Sequence, residues 1–163
     1  RISGSESKTP WHTNPKRKTL HPCWLSWIRR PAAGRQSKCC FPWHSGCTVL
    51  EQNLLSLKLP EERFDGVFAN AVLFHVPSAA LPRVLRELHA TLKPGGVLFA
   101  SNPRGAGEEG WQGERYGVFH DWPGWHGHVS AAGFIALSHY YRPAGLPREQ
   151  QPWLASVWRK RSP

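Results

Sequence analysis

Histidine side chains are the groups in this sequence best suited to proton transfer, since imidazole exchanges protons near neutral pH. His75 lies in a loop directly after an apolar run, and we predict it as the candidate proton acceptor, with local packing as the alternative. A second group lies close together further along the chain, at His120, Asp121, His126 and His128. That group would form either a wall of a substrate site or part of a solvated, irregular helix.

Two motifs resemble ligand sites but lack the context that such sites need. Cys39, Cys40, His44 and Cys47 are zinc-type ligands, but structural zinc sites are built from two separated ligand pairs. Residues 105–110 have the pattern G-x-G-x-x-G after a predicted strand, but its two glutamates would repel phosphate and no helix follows. We therefore predict no metal ion and no nucleotide at these motifs, and we interpret residues 102–117 as a polar loop.

Positive charge is concentrated at the start of the chain. Residues 1–48 contain nine Lys or Arg and one acidic residue, whereas residues 49–163 contain twelve and ten. The basic runs at 16–18 and 29–30 alternate with Trp11, Trp24 and Trp27, a combination that neutralises phosphates and stacks on bases. Binding of nucleic acid through residues 1–48 is therefore one hypothesis, and a solvated tail is the other.

The first 47 residues have no regular hydrophobic period, and prolines interrupt every stretch long enough for a helix. We predict an irregular segment over 1–47, either disordered or translated from a shifted frame, because Trp, Arg, Pro and Cys together are typical of GC-rich DNA read out of frame. Residues 24–28 favour a short strand or a single helical turn. The chain contains no methionine, which favours either a truncated protein or a translated open frame.

A strand, a helix and a second strand are predicted between residues 64 and 103. Residues 64–69 are almost continuously apolar, which is typical of a buried strand. Ser78 favours the N-cap of a helix over 78–93, with Pro82 in its first turn. The residues 94–96 (Pro-Gly-Gly) end this helix, and 97–100 form the next strand, parallel to the first. The apolar positions of the helix recur on one face: Leu81, Val84, Leu85, Leu88 and Leu92.

The rest of the chain predicts one more helix and two more strands. The helix covers 121–132 and is weakened by Pro123, Gly124 and Gly127. The strands cover 134–141 and 153–159, and we expect them to pair antiparallel.

The run FDGVFANAVLFHV, followed by a helix and LKPGGVLFAS, resembles the class I S-adenosylmethionine-dependent methyltransferases, and the last two strands fit the same family. The resemblance covers residues 48–161 and implies a partial Rossmann-like, doubly wound α/β sheet. In that fold the cofactor, S-adenosylmethionine, lies across the carboxyl ends of the central strands. The resemblance implies cofactor contacts for Asn53 and Leu54 at the adenine, and for Asn70, Ala71 and Leu73 beside the cleft.

One motif of the family is missing. Its first strand ends in a glycine-rich loop, D/E-x-G-x-G-x-G, whereas residues 1–48 hold only isolated glycines. Three hypotheses follow: methyl transfer to a small-molecule acceptor, a non-catalytic methyltransferase remnant, or a basic nucleic-acid-binding protein. A sheet without its first two strands would also leave the strand that begins at Phe64 with a bare edge.

The sequence holds no apolar run of the roughly 18 residues that a membrane helix needs. It also lacks the apolar core of a signal peptide. We therefore expect a cytoplasmic chain without a membrane partner and without disulfides. No oligomeric state is predicted.

Overall fold

The computed structural model describes residues 26–28 and 52–161. The strands are β1 (Ser26–Ile28), β2 (Phe64–Asn70), β3 (Leu92–Pro103), β4 (Glu108–Gln112), β5 (Arg115–Phe119), β6 (Phe134–Arg142) and β7 (Trp153–Lys160). The helices are α1 (Leu81–Thr91) and α2 (Trp122–Ala131), and short 3₁₀ turns cover Leu54–Ser56, Leu73–His75 and Arg148–Gln150.

Five strands form the main sheet, in the order β1-β2-β3-β7-β6. Strands β2 and β3 are parallel, while β7 pairs antiparallel with both β3 and β6. The predicted α/β class, the parallel pair joined by a helix and the antiparallel final pair are therefore confirmed. Since β6 runs in the same direction as β3, the carboxyl ends of β2, β3 and β6 lie at the same edge of the sheet.

The hydrophobic core lies between one face of this sheet and both helices. Leu85 of α1 and Trp125 of α2 belong to the same buried cluster as Val67, Leu98 and Trp158 of the sheet. On the other face, Phe68 stacks on Phe99 with 4.7 Å between ring centroids, and Phe68 is 40% exposed. The interpretation of β2 as a strand buried along its whole length is therefore wrong, because the described residues cover only one of its faces.

Helix α1 is shorter than the sequence indicates at both ends. Its N-cap is Ala80, without a side-chain hydrogen bond, whereas the backbone N–H of Ser78 donates to Glu109 Oε1 at 3.1 Å. The N-cap prediction for Ser78 is thus wrong, although Pro82 does lie in the first turn. Leu92 already pairs with Phe64, so residues 94–96 lie inside β3 rather than in a turn. The pairing register between β2 and β3 shifts between Phe64 and Gly66, and this irregularity accommodates residues 94–96.

Residues 102–117 are not a loop. β3 continues to Pro103, and β4 and β5 then form a separate two-stranded hairpin. Gly113, the first of its two turn residues, has a φ of +60°, which the tight hairpin turn of type II′ requires at that position. Trp111 and Tyr116 face each other across the strands with 5.6 Å between ring centroids, and this aromatic pair stabilises the hairpin.

Helix α2 is regular rather than irregular, and one of its faces is buried. The Asp121 carboxylate caps it by accepting from the Gly124 N–H at 2.9 Å. Trp125 and Val129 lie in the core. The proposed solvated helix is therefore wrong, because the cap and the buried aromatic side chain offset the helix-weakening glycines.

The edge of β2 is not bare. Of the two structures considered for residues 24–28, the strand is confirmed: Ser26–Ile28 pairs antiparallel with β2, from Ser26 opposite Phe68 to Ile28 opposite Gly66. The expectation of an unpaired edge is thus wrong over these positions. The Cys39–Cys47 cluster and the basic runs at 16–18 and 29–30 lie outside the described residues.

Candidate functional site

The carboxyl ends of β2, β3 and β6 form the edge at which ligands of open α/β sheets bind. β2 ends at Asn70, β3 at Pro103 and β6 at Arg142. Polar side chains from all three strands meet there. This edge is the candidate functional site of the chain.

The turn after β2 has a conformation that is uncommon for its sequence. Ala71 has a φ of +56°, and its N–H donates to the Ser101 carbonyl at 2.8 Å. A left-handed residue with a Cβ costs on the order of 1 kcal/mol, and such residues cluster where a ligand or a catalytic group must be placed. The hydrogen bond from Ala71 joins the ends of β2 and β3 beside the site.

Arg142 links the end of β6 to the other two strands. Its Nη2 donates to Ser101 Oγ and, at 3.4 Å, to Asn70 Oδ1. Ser101 is fully buried, and Asn70 is exposed. Sequence reasoning missed Ser101 and Arg142, although the predicted antiparallel pairing of the last two strands already places the end of β6 at this edge.

The residues predicted from the resemblance fall into two places. Asn70 and Ala71 lie at the edge beside Ser101, as expected, whereas Leu73 is 1% exposed and packs in the core. Asn53 is exposed, and its Oδ1 accepts from the Leu55 N–H at 2.8 Å.

The segment that contains Asn53 and Leu54 is held in place by the core and by α1. Leu54 packs against the core, and Arg83 of α1 donates to the Leu55 carbonyl at 2.6 Å. This segment and the turn after β2 are thus held by different neighbours. Cofactor contact by Asn53, Leu54, Asn70, Ala71 and Leu73 stays a prediction.

His75 is oriented by the hairpin. Its Nδ1 lies 2.6 Å from the Tyr116 carbonyl oxygen. Because a carbonyl only accepts, Nδ1 must carry the proton, and a neutral ring then presents Nε2 as its acceptor. The ring is half-buried beside Phe74, with 3.9 Å between the two ring centroids. This geometry suits a proton acceptor, and the catalytic role of His75 stays a prediction.

A carboxylate fastens the hairpin to the segment that follows β2. Glu109 Oε1 accepts from the Tyr116 hydroxyl at 2.5 Å and from the Ser78 N–H at 3.1 Å. Burial alone would raise the pKa of Glu109, but the hydrogen bonds from Ser78 and Tyr116 hold that pKa below its usual value. Burial and the bond to this carboxylate raise the pKa of Tyr116.

The histidines near α2 separate into two groups. His120 faces His128, with 5.0 Å between ring centroids, and burial followed by repulsion from His128 lowers the pKa of His120. His126 instead packs 5.1 Å from Trp122, which stacks on His139 at 3.8 Å. The sequence group is therefore not one continuous wall, and Asp121 serves as the helix cap.

The free energy of unfolding is expected to fall as the pH drops below about 6.5, the ordinary histidine pKa. Because the pKa of His120 is lower in the fold, the unfolded chain binds more protons in this range. The contribution of neutral His120 to stability is complete above the pKa that His120 has in the unfolded chain. It is lost as the pH falls through the lower pKa that His120 has in the folded protein. His89 contributes with the same sign, since burial and Lys160 lower its pKa.

Urea unfolding at pH 7.5 and pH 5.5 measures this effect. The His120→Gln variant should lose less stability between the two pH values than the parent chain does. An equal loss in both proteins would contradict the assignment to His120.

The described residues contain neither a cluster of metal ligands nor a membrane-spanning helix. No group of three or more His, Cys, Asp or Glu side chains within residues 52–161 is arranged to hold a metal ion. None of the helices in this part of the chain is long and apolar enough to cross a membrane.

Comparison with known proteins identifies the fold. Residues 28–100 match the family model described as a methyltransferase domain. A 1,6-didemethyltoxoflavin-N1-methyltransferase of Burkholderia thailandensis, crystallised with 1,6-didemethyltoxoflavin and S-adenosylhomocysteine, superimposes with a TM-score of 0.59 at 24% identity. The resemblance to the class I S-adenosylmethionine-dependent methyltransferases is confirmed. The superposition covers 69% of this chain and 50% of the Burkholderia enzyme, so this chain spans about half of that protein's length.

Other structures with the methyltransferase fold extend the comparison. An S-adenosylmethionine-dependent methyltransferase of Mesorhizobium loti gives a TM-score of 0.57 at 18% identity, covering 71% of this chain and 70% of its own. The [4+2]-cyclase SpnF gives 0.52 at 20% identity, covering 69% and 55%. No curated protein sequence matches the chain significantly. At these identities the structural likeness establishes the fold.

Proposed function

We propose that this chain transfers a methyl group from S-adenosylmethionine to a small-molecule acceptor at the shared carboxyl edge of β2, β3 and β6. The observation that carries the proposal is the left-handed turn at Ala71, fastened to Ser101. It lies where the family resemblance expects the cofactor cleft, and its small side chain lets a ligand approach the backbone. The family match over residues 28–100 supports the reaction type.

The residues of this edge fit part of the cofactor. Asn70 offers an exposed amide to the polar groups of the cofactor, and the left-handed turn at Ala71 lets the ligand approach the backbone. When bound, the cofactor supplies an electrophilic methyl group, so the protein has mainly to align the acceptor with it. His75 Nε2 is the group we propose to take the acceptor's proton.

A second candidate function is a protein with the methyltransferase fold that transfers no methyl group. Residues 1–48 hold only isolated glycines in place of the family's glycine-rich loop, and this observation favours it. SpnF has a similar fold and is described as a [4+2]-cyclase rather than as a methyltransferase. Nucleic-acid binding through residues 1–48, the domain boundary at residue 48 and a cytoplasmic location stay predictions.

Calorimetric titration with S-adenosylhomocysteine separates the two candidates. Methyl transfer requires binding with a Kd near micromolar, about −8 kcal/mol. The Asn70→Ala substitution should weaken the binding of S-adenosylhomocysteine about fivefold, because one hydrogen bond contributes about 1 kcal/mol. The matched control is Gln112→Ala, which removes an exposed amide from the hairpin. No binding by a folded chain would favour the second candidate.

A further inference from the structure

We propose that Arg142 binds a negatively charged group, a carboxylate or a phosphate, on the molecule that is methylated. The proposal rests on the proposed function and names the substrate class of the same site. It is carried by the position of the guanidinium and by the lack of a carboxylate beside it among the described residues.

Arg142 is held with its guanidinium at the site. It is the last residue of β6, separated from β3 by β7, and its Nη2 spans this gap to reach Ser101 Oγ and Asn70 Oδ1. Both acceptors are neutral, so they orient the guanidinium without cancelling its charge. Nη2 makes both contacts, and Nη1 has no hydrogen-bond partner among the described residues.

No carboxylate in the described part of the chain neutralises this charge. The ion pairs found among residues 52–161 are Arg83 with Glu87 and Lys93 with Asp65, and neither involves the edge. Arg142 is half-buried, and its Nε is buried without a hydrogen-bond partner among the described residues. A partly desolvated guanidinium without a counter-ion is costly, and an anionic ligand offsets that cost.

Two more arginines lie near the end of β6, on the opposite face of the sheet from the Arg142 guanidinium. The guanidinium carbons of Arg104 and Arg148 lie 5.7 Å and 2.9 Å from the ring centroid of Tyr141, the residue before Arg142. Arg104 Nη2 donates to the Arg148 carbonyl at 2.8 Å. Neither arginine forms an ion pair in the described part of the chain, although Glu149 lies in the same exposed turn. Their charges add to the positive potential at this end of the sheet, but they do not form part of the site around Arg142.

The chemistry of arginine defines the ligand class. A planar guanidinium donates in parallel to the oxygens of a carboxylate or a phosphate, and these charge-assisted bonds are about twice as strong as neutral ones. A ligand group held at Arg142 would lie beside Asn70 and Ala71, where the cofactor is proposed to lie. The anionic group would thus anchor the acceptor while another part of it faces the methyl group.

The test uses the full chain with two probes, inorganic phosphate and acetate, each titrated separately by calorimetry. One of them should bind saturably, and the better ligand identifies the anion. Arg142→Gln should weaken that binding about tenfold or more, while Arg142→Lys, which keeps the charge but not the paired donors, should retain part of it. The control is Arg86→Gln, an equal charge change at an exposed position of α1.

Separate titrations with S-adenosylhomocysteine assign the anion to its source. Its affinity for the Arg142→Gln variant should stay within about twofold of the parent, since one lost charge-assisted bond would cost roughly tenfold. An equal loss of cofactor affinity would overturn the proposal, because Arg142 would then hold the carboxylate of the cofactor. Equal weakening of anion binding in both glutamine variants, or no anion binding by the parent chain, would also overturn it. If the parent chain binds no S-adenosylhomocysteine, the proposed function fails, while the anion site is still measured by its own probe.

Discussion

Replacing Trp125 with alanine is expected to lower the free energy of unfolding by about 3–5 kcal/mol. Trp125 is 1% exposed and lies in the core between α2 and the sheet. Its Nε1 donates to Ser156 Oγ of β7 at 3.0 Å, so the substitution removes both a large buried surface and a buried hydrogen bond. The loss should be measured by urea unfolding.

Two variants make this test specific. Trp125→Phe keeps most of the ring but leaves the Ser156 hydroxyl without its donor, so it should give an intermediate loss. Trp111→Ala removes the same side-chain type from the hairpin, where it is 53% exposed, and should cost less than about 1.5 kcal/mol, mainly through the lost aromatic pair with Tyr116. Similar losses for Trp125→Ala and Trp111→Ala would contradict the described core.

The Gly105→Ala substitution is expected to destabilise the protein by about 1–3 kcal/mol, because it overpacks the junction between β3 and the hairpin. A Cβ at Gly105 would lie 2.7 Å from the Phe119 carbonyl oxygen, and it would also meet Phe119 Cβ and the Glu108 carboxylate. Backbone atoms cannot yield as a flexible side chain can, so the hairpin must shift. That shift would also disturb the bond between Tyr116 and His75.

A glycine-to-alanine substitution at Gly127 should change the stability in the opposite direction. Gly127 lies inside α2, and a Cβ there would meet no atom within 4 Å. Gly127→Ala is therefore expected to stabilise the fold by about 0.5–1 kcal/mol, through helix propensity. Thermal or urea unfolding of the two variants checks both signs. Destabilisation by Gly127→Ala, or a neutral Gly105→Ala, would contradict the described packing.

Hydrophobic pattern made the central elements of the fold predictable. The apolar stripe of α1 and the two apolar runs around it define a strand, a helix and a strand, and the structure contains all three. The exact limits of α1 were not predictable, because they depend on contacts that are distant in sequence. Ser78 has the side chain of an N-cap, but its backbone N–H is used by Glu109, 31 residues later.

The hairpin shows why a glycine-rich polar segment can be misinterpreted. Residues 102–117 carry little apolar periodicity, so composition favours a loop. Their strands are instead fixed by a turn at Gly113, by the pair of Trp111 and Tyr116, and by the carboxylate of Glu109. Each of these depends on contacts between the two strands, and the order of apolar and polar residues along the sequence does not reveal such contacts.

The candidate site was predictable only where it follows a strand directly. Asn70 and Ala71 follow β2, and the family motif placed them at the edge where they lie. Leu73 has the apolar character of a ligand contact, but the same character suits the core, where its side chain is found. Arg142 reaches the site from a strand 41 residues after Ser101, and only the sheet order brings the two together.

A cofactor cleft at this edge is tested by titrating the isotope-labelled chain with S-adenosylhomocysteine and following the chemical shifts of the backbone amides. We expect saturable shifts at the amides of Asn70, Ala71 and Ser101, and none at Gly127 on the outside of α2. Absence of saturable shifts in a folded chain, or shifts confined to residues away from this edge, would contradict a cofactor cleft at the carboxyl ends of β2, β3 and β6.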